Sequence, residues 1–244
     1  MCIRDSAEAD PTADVEGHDA GAKAAIIATL AFGASVTGDD VFTEGISKIT
    51  AEDIELAARM GYSIKLLAIV DQANDGSIGA RVHPTMVPID HPLASVRDSF
   101  NAVYVEGSGI DQVMFYGRGA GGHPTAAMML GDTVDAAANL VAGTASNVGD
   151  LAEAVIQPMD SLSSAFYISI DARDEPGVLA TIAGVFGNQD VSIRSMEQEG
   201  LGDQARLVFI THSAREADVS ATLRALESLD VVKNVGQVLR VVSA

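Results

Sequence analysis

Apolar residues recur along the chain in more than one rhythm, and each rhythm predicts its own kind of element. Over residues 18–32 (HDAGAKAAIIATLAF) small and apolar side chains fall at helical spacing. Gly17 stands before them and Gly33 just after, where a left-handed cap ends a helix. Thr50 with Asp53 three residues on has the form of a capping box and opens a helix over 51–60, which Gly61 closes. The rhythm then shortens. Residues 63–70 and 79–87 are β-rich runs joined across NDGS at 74–77, a hairpin signal, and 102–106 with 112–116 make a second pair around Gly107 and Gly109. A long Ala/Met/Leu helix is predicted over 124–141, with Pro124 where a first turn tolerates proline. Residues 143–163 read as a connector, partly helical at most.

From residue 165 the pattern changes. Strand 165–172, turn DEPG, helix 178–186, strands 191–197 and 205–213, helix 216–229 and strand 237–242 follow in βαββαβ order. That order folds as a four-stranded antiparallel sheet with two helices on one face, the ferredoxin-like plan.

Composition narrows the chemistry. The 244 residues are 48% hydrophobic and 20% charged, as in ordinary folded domains. Asp and Glu total 34 against 15 Lys and Arg, a net charge of −19 that repels phosphate backbones and anionic lipid heads, so nucleic acid and membrane surfaces are poor partners. The apolar stretch 24–32, interrupted by Thr29, is far short of the ~18 residues that span a bilayer. Cys2 is the single cysteine, which excludes an intrachain disulfide and suits a reducing cytoplasm. The five histidines show no HxH or HxxxH spacing, so no metal is expected, and no G-x-S-x-G elbow appears.

The sharpest candidate site is Asp14, Asp19 and Lys23 around the first long helix. Asp19 and Lys23 are four apart and share a helix face. One reading is an exposed ion pair worth about 0.3–0.5 kcal/mol. The other starts from Ile26, Ile27 and Leu30, which continue the stripe of Lys23 into an apolar face. A lysine so placed is partly desolvated, and carboxylates beside it restore its charge, the balance that poises a general acid or base. GRGAGG at 117–122 matches G-x-G-x-x-G between a strand and a helix. The parallel strand ending in an acid that a dinucleotide fold requires does not follow, so the segment is not a first Rossmann unit; it is either a glycine loop whose free N–H groups at a helix start receive a phosphate or cofactor, or a tight turn that needs small residues. In DEPGVL, Asp174 to Leu179, a strand meets a helix whose first turn leaves N–H groups free for a ligand carboxylate; a simple turn uses the same residues.

The runs AEADPTADVEGHDAGAKAAIIATLAFG, TEGISKITAEDIELAARMGYSIKLLAIV, HPLASV with NAVYVEG, and YGRGAGGHPTAAMMLGD strongly resemble bacterial homoserine dehydrogenase over nearly all of residues 7–142. Residues 165–243 resemble an ACT domain, a small amino-acid-sensing module. The resemblance implies an α/β (α+β) chain: a mixed-sheet substrate and catalytic domain, then a ferredoxin-like ACT domain. It implies a head at 1–6 that is artificial or truncated, a homoserine-binding catalytic domain at 7–112, a return segment to a nucleotide-binding domain at 113–150, a linker at 151–163 and the regulatory domain at 164–244. The activity implied is NAD- or NADP-dependent interconversion of L-homoserine and L-aspartate 4-semialdehyde, in threonine, methionine and isoleucine biosynthesis in the cytoplasm.

By that resemblance Lys23 and Asp19 are catalytic, and Glu8, Asp14 and Asp19 bind substrate. Gly119, Ala120 and Gly121 lie on the cofactor side. Asp174, Gly177, Val178 and Leu179 bind an effector, L-threonine, and the protein assembles as a homodimer or homotetramer. The family's nucleotide-binding domain precedes the residue matched by Glu8 and is not found in these residues, so the chain alone is expected to be inactive. The rival expectations are a non-catalytic amino-acid-sensing fragment and an enzyme that uses Lys23 for Schiff-base chemistry.

Overall fold

The computed structural model describes residues 10–98, 100–145, 149–200 and 202–242. The head at 1–6 and Glu8 lie outside the described residues. The acidic loop closes into one short helical turn, α1 (Thr12–Val15), before α2 (His18–Phe32). Both glycines flanking α2 are left-handed, Gly17 at φ 78° and Gly33 at φ 64°, so the chain turns into and out of the helix where only glycine does so freely. Two short strands follow, β1 (Ala34–Ser35) and β2 (Phe42–Thr43), and then α3 (Ala51–Arg59). The capping box of α3 is present: Asp53 N donates to Thr50 Oγ1 at 3.2 Å, and Thr50 N donates to Asp53 Oδ2 at 2.8 Å.

The two hairpins form as predicted but with longer arms. β3 (Tyr62–Gln72) pairs antiparallel with β4 (Ile78–Pro88) along its whole length, and β5 (Phe100–Gly107) pairs with β6 (Asp111–Arg118) as a separate two-stranded sheet. α4 (Gly122–Ala142) comes next. The predicted connector holds a short strand, β7 (Ala152–Glu153), which lies parallel to β1. Ile78 N then donates to Val155 O at 2.8 Å, and Gln157 Nε2 donates to Ser77 Oγ at 2.8 Å, so this stretch is stitched onto the start of β4.

The C-terminal part runs β8 (Ser163–Arg173), α5 (Val178–Asn188), β9 (Ile193–Gly200), β10 (Gln204–Thr211), a two-residue β11 (Ala214–Arg215), α6 (Glu216–Glu227) and β12 (Val232–Val241). Strand β9 starts two residues later than its apolar pattern predicts. Val191 instead caps α5, its N–H donating to Phe186 O at 3.0 Å, while its side chain enters the core.

One mixed sheet runs through both parts in the order β2-β4-β12-β8-β10-β9, with β3 also on β4. The C-terminal four strands have the ferredoxin-like order, and their last strand, β12, is antiparallel to β8 and parallel to β4 through Arg240↔Thr85 and Val241↔Met86. Side chains alternate between the two faces of such a sheet. Phe166, Ile168 and Ile170 of β8 face α5 and α6 and pack on Ile182, Phe186 and Leu226. On the other face Tyr167, Val208 and Leu239 meet Leu56 and Ala57 of α3, which also covers Met86 of β4. Helix α2 lays Ala24, Ala25 and Ala28 on Ile78, Ala80 and Val82 of β4. Each large aliphatic side chain so buried contributes about 1.5–3 kcal/mol, which makes α3, straddling the seam, a principal tie between the parts.

Candidate functional site

The mouth of α2 is built by close backbone approach. A Cβ on Gly17 would lie 3.0 Å from Val82 Cγ1 and 3.2 Å from Thr43 Cγ2, and one on Gly21 would lie 3.3 Å from Thr43 Oγ1. Gly45 is tighter still, since a Cβ there would come within 2.6 Å of Glu16 Cα and Val15 O. Ile46 N donates to Val15 O at 2.8 Å and Glu44 N donates to Val82 O at 2.8 Å. The segment from Phe42 to Ile46 therefore wedges between β4 and the turn that carries Asp14.

On this platform Lys23 Nζ donates to Asp19 Oδ2 at 2.5 Å, across one turn of α2. Asp14 sits exposed on α1, one short turn before the helix. Asp19 and Lys23 are thus brought together, and Asp14 stands at the same helix entrance. The expected desolvation of Lys23 is not found: its side chain is 61% exposed, and Ile26 and Leu30 on the same stripe are 60% and 64% exposed. The physical reason is the close approach just described. With the sheet so near, the buried face of α2 is the one made of Gly21, Ala24, Ala25 and Ala28, and the bulkier Ile26 and Leu30 are turned outward. Size, rather than hydropathy, chooses the inner face here.

The other predicted residues sit apart from that mouth in the chain. Gly119, Ala120 and Gly121 make the turn between β6 and α4, with Gly121 at φ 121° and a Cβ on Gly119 set to collide with the Asn101 side chain. Because β5 and β6 form an antiparallel sheet of their own, the described residues do not build a dinucleotide pocket around this turn. In the C-terminal part, Asp174 follows β8 and accepts from Gln198 Nε2 at 3.3 Å; Gly177 is left-handed at φ 90° before α5; Val178 is buried and Leu179 half-buried. Among the described residues no three metal-binding side chains converge, and no helix is long and apolar enough to cross a membrane.

Sequence reasoning missed a buried polar face on β4. Arg81, His83 and Thr85 alternate along the strand, are each less than a tenth exposed, and share one face with Arg240 of the neighbouring β12. Burial first, and then the charges of Arg240 and Arg81, push His83 down to about 3, so its imidazole is neutral. Its Nδ1 lies 2.9 Å from Thr85 Oγ1, while Nε2 has no partner among the described residues. Arg81 reaches Asp71 Oδ2 at 2.6 Å. Arg240 joins three segments: Nη1 donates to Glu44 Oε2 at 2.6 Å, Nε to Glu216 Oε1 at 2.6 Å and Nη2 to Glu216 Oε2 at 3.1 Å. The alternation R-x-H-x-T inside ARVHPTMV was the available signal, since polar residues at every second place of an apolar run mark one face. On β3, Lys65 Nζ donates to Val96 O at 2.6 Å, and burial followed by the nearby Arg97 charge lowers its pKa.

Comparison with known proteins places these features in context. The family described as homoserine dehydrogenase matches residues 4–134, and the ACT domain family matches residues 166–231. The homoserine dehydrogenase of Corynebacterium glutamicum is 49% identical over 239 residues, 96% of this chain and 54% of that protein. The homoserine dehydrogenase of Mycobacterium tuberculosis is 46% identical over 245 residues, 96% of this chain and 56% of its own. The crystal structure of a homoserine dehydrogenase from Thiobacillus denitrificans superposes with a TM-score of 0.90 at 36% identity, covering 97% of this chain and 56% of that one. The chain thus spans about half the length of the relatives it matches.

Proposed function

The chain belongs to the homoserine dehydrogenase family and carries an ACT domain, and on that footing we propose that the protein interconverts L-homoserine and L-aspartate 4-semialdehyde. NAD or NADP is the hydride carrier, and the setting is amino-acid biosynthesis in the cytoplasm. The observation that carries this reading is the Asp19–Lys23 pair at the entrance of α2, inside the matched region and open to a ligand. An ammonium group donating at 2.5 Å to one carboxylate keeps its other N–H donors free. As the carbonyl carbon is reduced, the Lys23 ammonium gives a proton to the developing alkoxide, and Asp19 holds that ammonium in place. Asp14, with Glu8, offers negative charge for the substrate ammonium.

A nicotinamide, when bound, would supply the hydride. These described residues do not fit that group on their own, and Gly119, Ala120 and Gly121 are proposed only to flank it. We expect the 244-residue chain by itself to show little or no turnover. The reading of a purely sensing fragment is not favoured, because the family match covers the half that carries Lys23.

The test is Lys23→Met in an enzyme that joins these residues to a nicotinamide-binding domain. Loss of roughly 10²–10⁴-fold in kcat, with homoserine binding retained, is the expected result for a lost general acid. A variant that turns over at the parent's speed would overturn it. Borohydride trapping separates the Schiff-base alternative, since proton transfer leaves no covalent adduct on Lys23.

For the C-terminal domain we propose feedback by L-threonine, bound at Asp174, Gly177, Val178 and Leu179, in a homodimer or homotetramer. Gly177 is left-handed, so Gly177→Asp both strains the turn and adds a carboxylate where the effector's own carboxylate would bind. Titration calorimetry is expected to give heat with threonine for the parent and none for the variant; equal heats in both would rule this site out.

A further inference from the structure

Beside the β12–β4 backbone pairing, three side-chain ties among the described residues join the C-terminal half to the rest. Arg206 pairs with Glu52, and Arg194 Nη2 donates to Tyr62 Oη at 2.9 Å; both lead to α3 or to the strand after it. The third differs in where it leads. Arg240 sits on the last strand with its side chain 13% exposed, forks onto the buried Glu216 at the start of α6, and reaches Glu44 across the seam. Glu44 stands between Thr43, which touches Gly17 and Gly21, and Gly45, which is pressed on Val15 and Glu16. One ion pair therefore connects β12 to the wedge that supports the turn of Asp14 and the first two turns of α2, where Asp19 and Lys23 lie. A Glu216–Arg240–Glu44 triad has direction as well as charge, because a guanidinium binds carboxylates in fixed planar geometry and follows them when they shift.

We propose that Arg240 is a positioning residue that carries displacement of the C-terminal sheet to the Asp19–Lys23 pair through Glu44. The proposal deepens the reading above and rests on its assignment of that pair to the substrate site and of residues 174–179 to the effector. The effector loop lies at the far end of β8 from the Phe166↔Arg240 pairing, roughly 25 Å away at the rise of a strand. A ligand there that shifts β8 and β12 as a unit moves Arg240 with them, and Glu44 passes the shift to the wedge.

Hydrogen exchange read by mass spectrometry on the 244-residue chain tests this without any turnover. Glu44→Gln removes the charge on one side of the tie and leaves the Arg240–Glu216 fork in place; Glu52→Gln cuts the Arg206 tie as a control. Exchange over residues 12–23 is expected to quicken about five-fold or more in Glu44→Gln, the lower end of measured coupling between sites, and to stay at the parent's rate in Glu52→Gln. Added L-threonine should change exchange over 12–23 in the parent, whereas in Glu44→Gln its effect should be confined to 165–190. Equal rates over 12–23 in parent and Glu44→Gln overturn the proposal, and so does a uniform quickening that includes β8 and β10. If threonine alters nothing at 174–179 in the parent, the effector assignment fails while the ligand-free comparison still decides the tie.

Discussion

His83 shows how one buried side chain sets a pH limit on the whole chain. In the unfolded chain an imidazole titrates near 6.5, whereas in the folded protein burial first, and then Arg240 and Arg81, take His83 to about 3. Above pH ~6.5 both states are neutral at this position and nothing is lost. Below it the unfolded state binds a proton that the folded state refuses, so stability falls as the pH drops toward 3. At pH 5 the loss from this one group is about 2 kcal/mol. The hydrogen-bonded carboxylates whose pKa is lowered, Asp10, Asp40, Glu52 and Asp75, lose their contribution only once the pH falls into the ordinary carboxylate range, so they add little between pH 7 and pH 5. Urea unfolding at pH 7 and pH 5 should therefore show a drop in midpoint for the parent and a much smaller one for His83→Gln. Such residues were poorly legible in advance. A histidine flanked by Val82 and Pro84 reads as a local feature of its strand, and the charge of Arg240 that acts on it comes from a sequence position far away. Lys23 was legible as a partner of Asp19, because one helical turn decides that contact. Its exposure was not, because that depends on how closely the sheet lets α2 approach.

Elements whose ends are decided by local chemistry were read well. The limits of α2 follow from two glycines and those of α3 from a Thr/Asp box, and both survive in three dimensions. Thr50→Ala should lower stability by about 1 kcal/mol, seen as a fall in the thermal midpoint, since it removes the side-chain half of that cap. Gly17→Ala should cost more than about 1 kcal/mol, because it adds a Cβ at positive φ and sets it 3.0 Å from Val82. Helix α4 illustrates the opposite limit. Its helicity was evident, but it has no buried residue, and Met128, Met129, Leu130 and Val134 are 57–68% exposed. Periodicity predicts which residues share a face and says nothing of whether another element is there to cover it. Charged substitutions at Met128 and Leu130 are accordingly expected to leave the melting temperature within a degree or two, since exposed sites rarely change stability by more than ~0.5 kcal/mol, while binding of a hydrophobic dye falls.

At the level of the whole molecule the βαββαβ order and the family resemblance described two units, and the structure adds that they share one sheet. Nothing in the strand patterns of β4 or β12 announces a parallel pairing between residues 85–86 and 240–241, because register across such a distance depends on the packing of α3 over both. The shared sheet, the α3 core and the Arg240 triad make separate melting of the parts unfavourable. A single calorimetric transition is expected for the described residues of both parts, with Leu56→Ala lowering it by about 2–5 kcal/mol as one peak instead of splitting it.

The parallel seam also restricts what recombination can do with this chain. Cutting before residue 164 to graft a different sensor would strip β12 from β4 and leave the Thr85–Met86 stretch of β4 without its parallel partner, an open edge able to pair with another chain. Successful chimeras should therefore be those whose incoming module ends in a strand that can dock there, and the failures should be found as edge-to-edge aggregates.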